Sequence, residues 1–98
     1  MIKIEVNNDL IKISGHSGYD DHGKDIVCAS VSSVVYTTVN GILNVDKNAI
    51  KFADNNDVMT IDIKSKDKVI KILINSMIDI LSDLEKQYPE NIKIVKGE

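Results

Sequence analysis

Apolar and charged residues alternate over residues 2–6, at the start of the chain. Residues 7–9 are Asn-Asn-Asp, a composition that favours a turn, and a second run of apolar residues interrupted by Lys12 follows over residues 10–13. This pattern predicts a β-hairpin, because the side chains of a strand point alternately to its two faces. Gly15 and His16 come directly after the second strand, so we expect that histidine to lie where a rigid strand meets a loop.

The stretch from Ile26 to Leu43 is rich in β-branched residues, which favour strands, but it is too long for an ordinary strand. Its apolar positions have the spacing of one helical face; they are Val27, Val31, Val34, Val35, Thr38 and Ile42. We therefore predict a helix, with Asp25 as its N-cap and its end near Gly41 or Asn44.

Apolar residues also flank the run Asp-Asn-Asn-Asp at residues 54–57, which predicts a second hairpin. From residue 66 or 67 to Tyr88 the apolar residues follow the three-and-four spacing of an amphipathic helix, which Pro89 stops. Further apolar residues widen that face, as expected of either a helix wedged between two layers or a subunit interface; they are Val69, Ile72, Ile78 and Ile80. Residues 92–95 predict a last strand.

The predicted order is ββαββαβ. It indicates an α+β fold, a single-domain layer sandwich with a mostly antiparallel sheet and two helices. With 98 residues, the chain is too short to divide into two domains with useful cores, so we expect residues 1–98 to form one domain.

Composition and charge narrow the function classes. The chain is 43% hydrophobic and 28% charged, as in soluble globular proteins. No uninterrupted apolar run reaches the roughly 18 residues that span a bilayer, and the alternating start is unlike a signal peptide. We expect a cytoplasmic protein without a membrane partner. The net charge is −3 and all basic residues are Lys, which disfavours direct nucleic-acid binding but leaves a basic protein partner reasonable.

The candidate chemistry is concentrated in residues 15–28. This glycine-rich segment contains both histidines, His16 and His22, and the only cysteine, Cys28. A thiol and an imidazole are the parts of a cysteine nucleophile. Behind an Asp25 N-cap, Cys28 would occupy the third helical position, where the helix N-terminus favours a thiolate and where backbone N–H groups can hold an oxyanion. His16 is the better partner because a strand positions it, although His22 is nearer in sequence.

The same segment resembles a family signature. The runs Gly-His-Ser-Gly and Gly-Lys-Asp-Ile-Val-Cys-Ala-Ser-Val-Ser, together with the late Leu-Glu-Lys-Gln-Tyr-Pro-Glu-Asn-Ile, resemble the ribosomal-processing cysteine proteases, small bacterial enzymes. The resemblance implies that His16 and Cys28 are the catalytic pair. It also implies a homodimer and a peptide substrate, the N-terminal extension of large-subunit ribosomal protein twenty-seven. His22 stands where that family has an aromatic residue.

The remaining candidate residues have supporting duties. Asp25 caps the helix and can also orient an imidazole. Ser32 matches the family's serine one turn after the cysteine, although a serine there can also be a small packing residue. The loop residues Gly15, Gly18, His22 and Gly23 are candidates for substrate binding, with the glycines giving the backbone freedom to order over a peptide. We expect neither a cofactor nor a metal.

Two other functions fit the residues less well. A zinc-binding module would use His16, His22, Cys28 and one Asp, but their spacing matches no common zinc motif. A non-enzymatic ribosome-associated or protein-binding module would use Cys28 only for packing.

Overall fold

The computed structural model describes residues 1–20 and 25–97, which contain five strands and two helices in the order ββαββαβ. The elements are β1 (Ile2–Asn7), β2 (Leu10–Ser14), α1 (Ile26–Val45), β3 (Ile50–Asn55), β4 (Val58–Ile63), α2 (Lys68–Gln87) and β5 (Ile92–Lys96). The predicted α+β order is therefore confirmed.

All strands belong to one sheet, with the spatial order β3-β4-β2-β1-β5. Neighbouring strands are antiparallel except β5, which pairs parallel to β1. The register places Ile4 opposite Ile13 and Ile11 opposite Ile61, so these side chains share one face of the sheet. That face is buried, and the other carries Lys3, Lys12 and further polar residues.

The core lies between this sheet face and the two helices. From α1 it receives Val27, Val31, Val35, Val39 and Ile42. Val39 is buried although it was not predicted to belong to this face, whereas the predicted Val34 and Thr38 are only half-buried. The predicted helical face is otherwise confirmed.

The end of α1 lies one residue beyond Asn44, the later of the two predicted positions. The helix continues through Gly41 and Asn44 to Val45, and the Asp46 amide donates to the Ile42 carbonyl at 2.8 Å. Ile42 is fully buried, and its packing keeps the last turn helical despite the poor helix propensity of glycine and asparagine.

The composition of α1 also differs from the expectation. Its 20 residues include no charged side chain. By length and composition the helix is apolar enough to cross a bilayer, although polar residues interrupt its apolar sequence. In this fold its buried stripe packs against the sheet, and the helix contacts α2 and β3. Core helices of globular proteins have the same features.

Helix α2 has the predicted bounds to within two residues. The Asp67 carboxylate accepts a hydrogen bond from the Val69 amide at 2.8 Å, and the helix buries Ile70, Ile74, Met77 and Leu81. The additional apolar residues lie elsewhere: Val69, Ile72 and Ile80 are exposed and Ile78 is half-buried. Within the chain, α2 is therefore not wedged between two layers.

Truncation of α2 side chains tests this division of the helix. Leu81 is 0% exposed and Ile72 is 61% exposed. Leu81→Ala should lower the free energy of unfolding by about 2–5 kcal/mol, because it leaves a cavity in the core, whereas Ile72→Ala should change the free energy of unfolding of the monomer by about 0.5 kcal/mol or less. Urea unfolding measures both. Equal losses in the two variants would contradict the packing described.

Candidate active site

A pocket of about 750 Å³ opens where the N-terminus of α1 faces the end of β2 and the β3–β4 turn. Five of the predicted site residues line it: Gly15, His16, Asp25, Cys28 and Ser32. Residues that sequence reasoning did not select also line it, among them Asp54, Asn56, Asp57 and Met59. The fold thus brings the thiol and the imidazole to one cavity.

Asp25 forms the N-cap of α1, as predicted. Its Oδ1 accepts hydrogen bonds from the backbone amides of Val27 at 2.9 Å and Cys28 at 3.0 Å, and its carbonyl accepts from the Ala29 amide at 3.1 Å. These bonds satisfy donors that an uncapped helix leaves open. The cap therefore fixes the first turn, which contains Cys28.

The protonation of Asp25 reflects these bonds. Burial raises the pKa of its carboxyl group. The hydrogen bonds that it accepts from the Ser17 hydroxyl, Cys28 and Val27 lower this pKa, and together they outweigh burial. The result is a pKa lowered from 3.8 to about 2. Asp25 is consequently ionised at neutral pH, and its charge lies beside the thiol of Cys28.

The environment of Cys28 corrects one expectation. The amides of Val27 and Cys28 donate to Asp25, so they do not point outward to hold an oxyanion. A capping carboxylate occupies the amides that directly follow it. The Cys28 sulfur itself accepts a hydrogen bond from the Ser17 amide at 3.3 Å, and the residue is half-buried.

Ser17 is a site residue that the sequence did not reveal. It is 2% exposed, and its hydroxyl donates to Asp25 Oδ2 while accepting from the Tyr19 amide at 3.0 Å. Its carbonyl accepts from the side-chain amide of Asn91 at 2.9 Å. Both residues lie in the runs that carry the family resemblance, which is the signal that points to them.

His16 pairs with a second residue that the sequence did not reveal, Asp57. His16 Nε2 lies 3.0 Å from Asp57 Oδ1, and both side chains are more than half exposed. The backbone strengthens this approach, since the Gly15 amide donates to the Asp57 carbonyl at 3.3 Å. Asp57 was predicted only as a turn residue. Its contact depends on the pairing of β2 with β4.

A link from α1 holds the β3–β4 hairpin at the pocket. The Tyr36 hydroxyl donates to the Asp54 carboxylate, and the Tyr36 ring meets the ring of Phe52 edge-on at 5.3 Å. The hydrogen bond to Asp54 raises the pKa of Tyr36. Because Tyr36 lies on the same helix as Cys28, the link fixes the hairpin relative to the thiol.

Of the predicted loop residues, Gly15 lines the pocket and Gly18 does not. Gly15 has a φ of 85°, and a Cβ there would collide with the Met1 carbonyl oxygen, so only glycine fits between β2 and His16. Gly18 has a φ of 72° but is exposed and is not among the pocket-lining residues. His22 and Gly23 lie outside the described residues.

Within residues 1–20 and 25–97, no group of three or more His, Cys, Asp or Glu side chains is arranged to hold a metal.

Comparison with known proteins gives one family. Residues 1–93 match the model of the family described as cysteine protease Prp. The ribosomal processing cysteine protease Prp of Mycoplasma genitalium is 30% identical over 96 residues, which cover 96% of this chain and 94% of that protein. The protein of the same name from Staphylococcus aureus is 28% identical over 103 residues, which cover 96% of this chain and 97% of the relative.

Solved structures have the same fold. An essential ribosomal processing protease Prp from S. aureus, in complex with a covalently linked product peptide, superposes with a TM-score of 0.92 and 24% identity, covering 99% of this chain and 100% of that chain. The S. aureus protease with a substrate peptide superposes with a TM-score of 0.82 and 22% identity, covering 98% and 97%. The predicted layer sandwich is therefore an established fold.

Acid unfolding tests the ionisation of Asp25. Its pKa is about 2 in the folded protein against an ordinary 3.8, so the unfolded chain binds this proton more readily. The resulting stabilisation is complete above about pH 4 and is lost as the pH falls through about 2. Urea unfolding at a series of pH values should show this loss in the wild type and not in Asp25→Asn, which keeps a good N-cap.

Asp67→Asn, the matched substitution at the N-cap of α2, should keep the Asp25-dependent loss of stability. Parallel stability curves for the wild type and Asp25→Asn would contradict the assignment.

Proposed function

Because the chain belongs to the cysteine protease Prp family, we propose that Cys28 is its nucleophile and His16 its acid–base partner. The protein is a cysteine protease, as the resemblance implied. The observation that carries the assignment is the pocket that both side chains line, with the thiol in the first turn of α1. The described residues include no other cysteine.

The chemistry follows from these positions. The Cys28 thiol gives its proton to His16, and the sulfur attacks the carbonyl carbon of the scissile peptide bond, so that a C–S bond forms and the carbonyl electrons move to oxygen. Collapse of this intermediate breaks the C–N bond, and the leaving amine takes the proton from His16. Water then attacks the thioester, giving a proton to His16, and the released sulfur recovers it.

Supporting roles follow from the same geometry. Asp25 fixes the first turn of α1 and so the direction of the Cys28 side chain. Ser32 lines the pocket one turn later and can contact a bound peptide. From the family resemblance, and not from the geometry, we propose that Gly15, Gly18, His22 and Gly23 contribute to substrate binding.

Asp57 is one group that orients His16. A carboxylate at Nε2 stabilises the imidazolium that forms when the thiol loses its proton. Both partners are exposed, and an exposed pair contributes only about 0.2–1 kcal/mol. Asp57 therefore assists the pair and is not indispensable to it.

The substrate that we propose is the N-terminal extension of large-subunit ribosomal protein twenty-seven. The relatives from M. genitalium and S. aureus are named ribosomal processing proteases, and the S. aureus enzyme has been solved with a substrate peptide and with a covalently linked product peptide. A covalently held product is consistent with a thioester intermediate. The acidic chain, with a net charge of −3, suits a basic ribosomal partner.

We also propose that the protein acts in the cytoplasm as a homodimer. The exposed apolar residues Val69, Ile72 and Ile80 on α2 support self-association, because a second copy would cover them. A groove of about 490 Å³ between α1 and α2 continues this apolar surface.

Cleavage of a tagged ribosomal precursor, followed by the mass of the products, tests the function. The wild type should release one N-terminal extension. Cys28→Ala should lower kcat/KM by about 10⁴-fold or more, and His16→Ala by about 10²- to 10⁴-fold. Thr37→Ala, an exposed change on the same helix, should cleave like the wild type. Undiminished turnover by folded Cys28→Ala would overturn the nucleophile assignment.

The Asp57→Asn variant tests the orienting role. Its kcat/KM should fall by about 1.5- to 5-fold, as expected for an exposed ion pair. Asp62→Asn is a matched control on the same hairpin, because it removes an exposed ion pair with Lys64, at 2.9 Å, that lies outside the pocket. Equal kcat/KM values for Asp57→Asn and the wild type would contradict the role of Asp57.

A further inference from the structure

Ser17 connects three parts of the molecule at the pocket. Its amide donates to the Cys28 sulfur at 3.3 Å, and its hydroxyl donates to the carboxylate of Asp25. Its carbonyl accepts from Asn91 at 2.9 Å, a contact between residues 74 positions apart in the chain. At 2% exposure, Ser17 is the buried polar residue of the described ranges 1–20 and 25–97.

The two donors of Ser17 act on the charges around the thiol. The Asp25 carboxylate is ionised and lies beside Cys28, so it opposes a negative charge on the sulfur. The Ser17 amide favours that negative charge, because hydrogen bonds from N–H groups stabilise an anion. The Ser17 hydroxyl, in turn, binds the competing carboxylate at Oδ2.

Asn91 holds Ser17 in this position from a rigid part of the fold. Its own amide donates to the Tyr88 carbonyl at 2.9 Å, and its carbonyl accepts from Ile2 at 2.8 Å, so its backbone is tied to the end of α2 and the start of β1. The Tyr19 ring also meets the Tyr88 ring edge-on at 5.6 Å. The segment around Ser17 is therefore attached to the α2–β5 junction at two points.

We propose that Asn91 and Ser17 are positioning residues for the reaction of Cys28. Asn91 holds the Ser17 carbonyl, which directs the Ser17 amide to the sulfur and its hydroxyl to Asp25, and so favours the thiolate that attacks the substrate. The inference rests on the proposed role of Cys28 as nucleophile. It adds a contact between residues distant in sequence that places a hydrogen-bond donor at the thiol before a peptide binds.

Other titratable groups face the same thiol. Among the described residues that line the pocket they are Asp25 on α1, His16 after β2, and Asp54 and Asp57 on the β3–β4 hairpin. A change at Asn91 removes none of these groups, and it reaches Asp25 only through the Ser17 hydroxyl. A shift in the pH dependence of Cys28 reactivity on mutation of Asn91 therefore reports on the Ser17 contact.

Alkylation of Cys28 by iodoacetamide as a function of pH, together with kcat and KM for the precursor, tests the proposal. In Asn91→Ala and in Asn91→Leu, which keeps the branched arrangement of side-chain heavy atoms without the amide, the pH midpoint of alkylation should rise by about 0.5 to 1 unit. In both variants kcat should fall by about 2- to 10-fold with KM unchanged. Ser17→Ala should also raise the pH midpoint of alkylation and lower kcat. Asn75→Ala, an exposed change on α2, should behave like the wild type.

The double variant Ser17→Ala/Asn91→Ala should lose less kcat than the product of the two single losses, because both substitutions act through the position of residue 17. A wild-type alkylation midpoint and kcat in folded Asn91→Leu and Ser17→Ala would overturn the proposal. A loss of activity that follows only the loss of folded protein in a thermal melt would overturn it as well. Failure of the nucleophile assignment is distinct, because it appears as turnover by Cys28→Ala.

Discussion

The carboxylate of Asp25 is the group on which the site depends. It accepts the amides of Val27 and Cys28, and so starts α1 with the cysteine in its first turn. The Ser17 hydroxyl donates to the same carboxylate, which joins the glycine-rich segment to the helix. With a pKa of about 2, Asp25 keeps its charge, and the cap remains intact throughout the neutral pH range.

The sheet supplies the other half of the site through its register. Ser14, the last residue of β2, pairs with Val58, the first residue of β4. The end of β2 therefore meets the β3–β4 turn, and His16 meets Asp57. A shift of one residue in this pairing would move both side chains and turn the apolar face of the strand outward, so the buried core also protects the geometry of the site.

The fold and the approach of His16 and Cys28 to one pocket were predictable from local signals. Alternation and helical spacing indicated the elements, and the runs around His16 and Cys28 indicated the family. Asp57 was not predictable as a site residue, because its contact follows from strand register. For Asn91 the family run gave a signal, but its contact with Ser17, across 74 positions, could not be derived from local patterns. The expected oxyanion role does not hold for the amides of Val27 and Cys28, since the N-cap that places Cys28 in the first turn also accepts their hydrogen bonds. Of the two predicted ends of α1, Asn44 is the nearer, because burial of Ile42 keeps the helix intact past Gly41.

The central claim is that the peptide becomes attached to the sulfur that this cap positions. Rapid acid quenching of the enzyme with the proposed ribosomal precursor, followed by tandem mass spectrometry, measures that attachment directly. The account predicts an acyl group on Cys28 with the mass of the N-terminal product less one water, which disappears as free product accumulates. An acyl group on another residue, or turnover that persists after Cys28 has been alkylated, would contradict it.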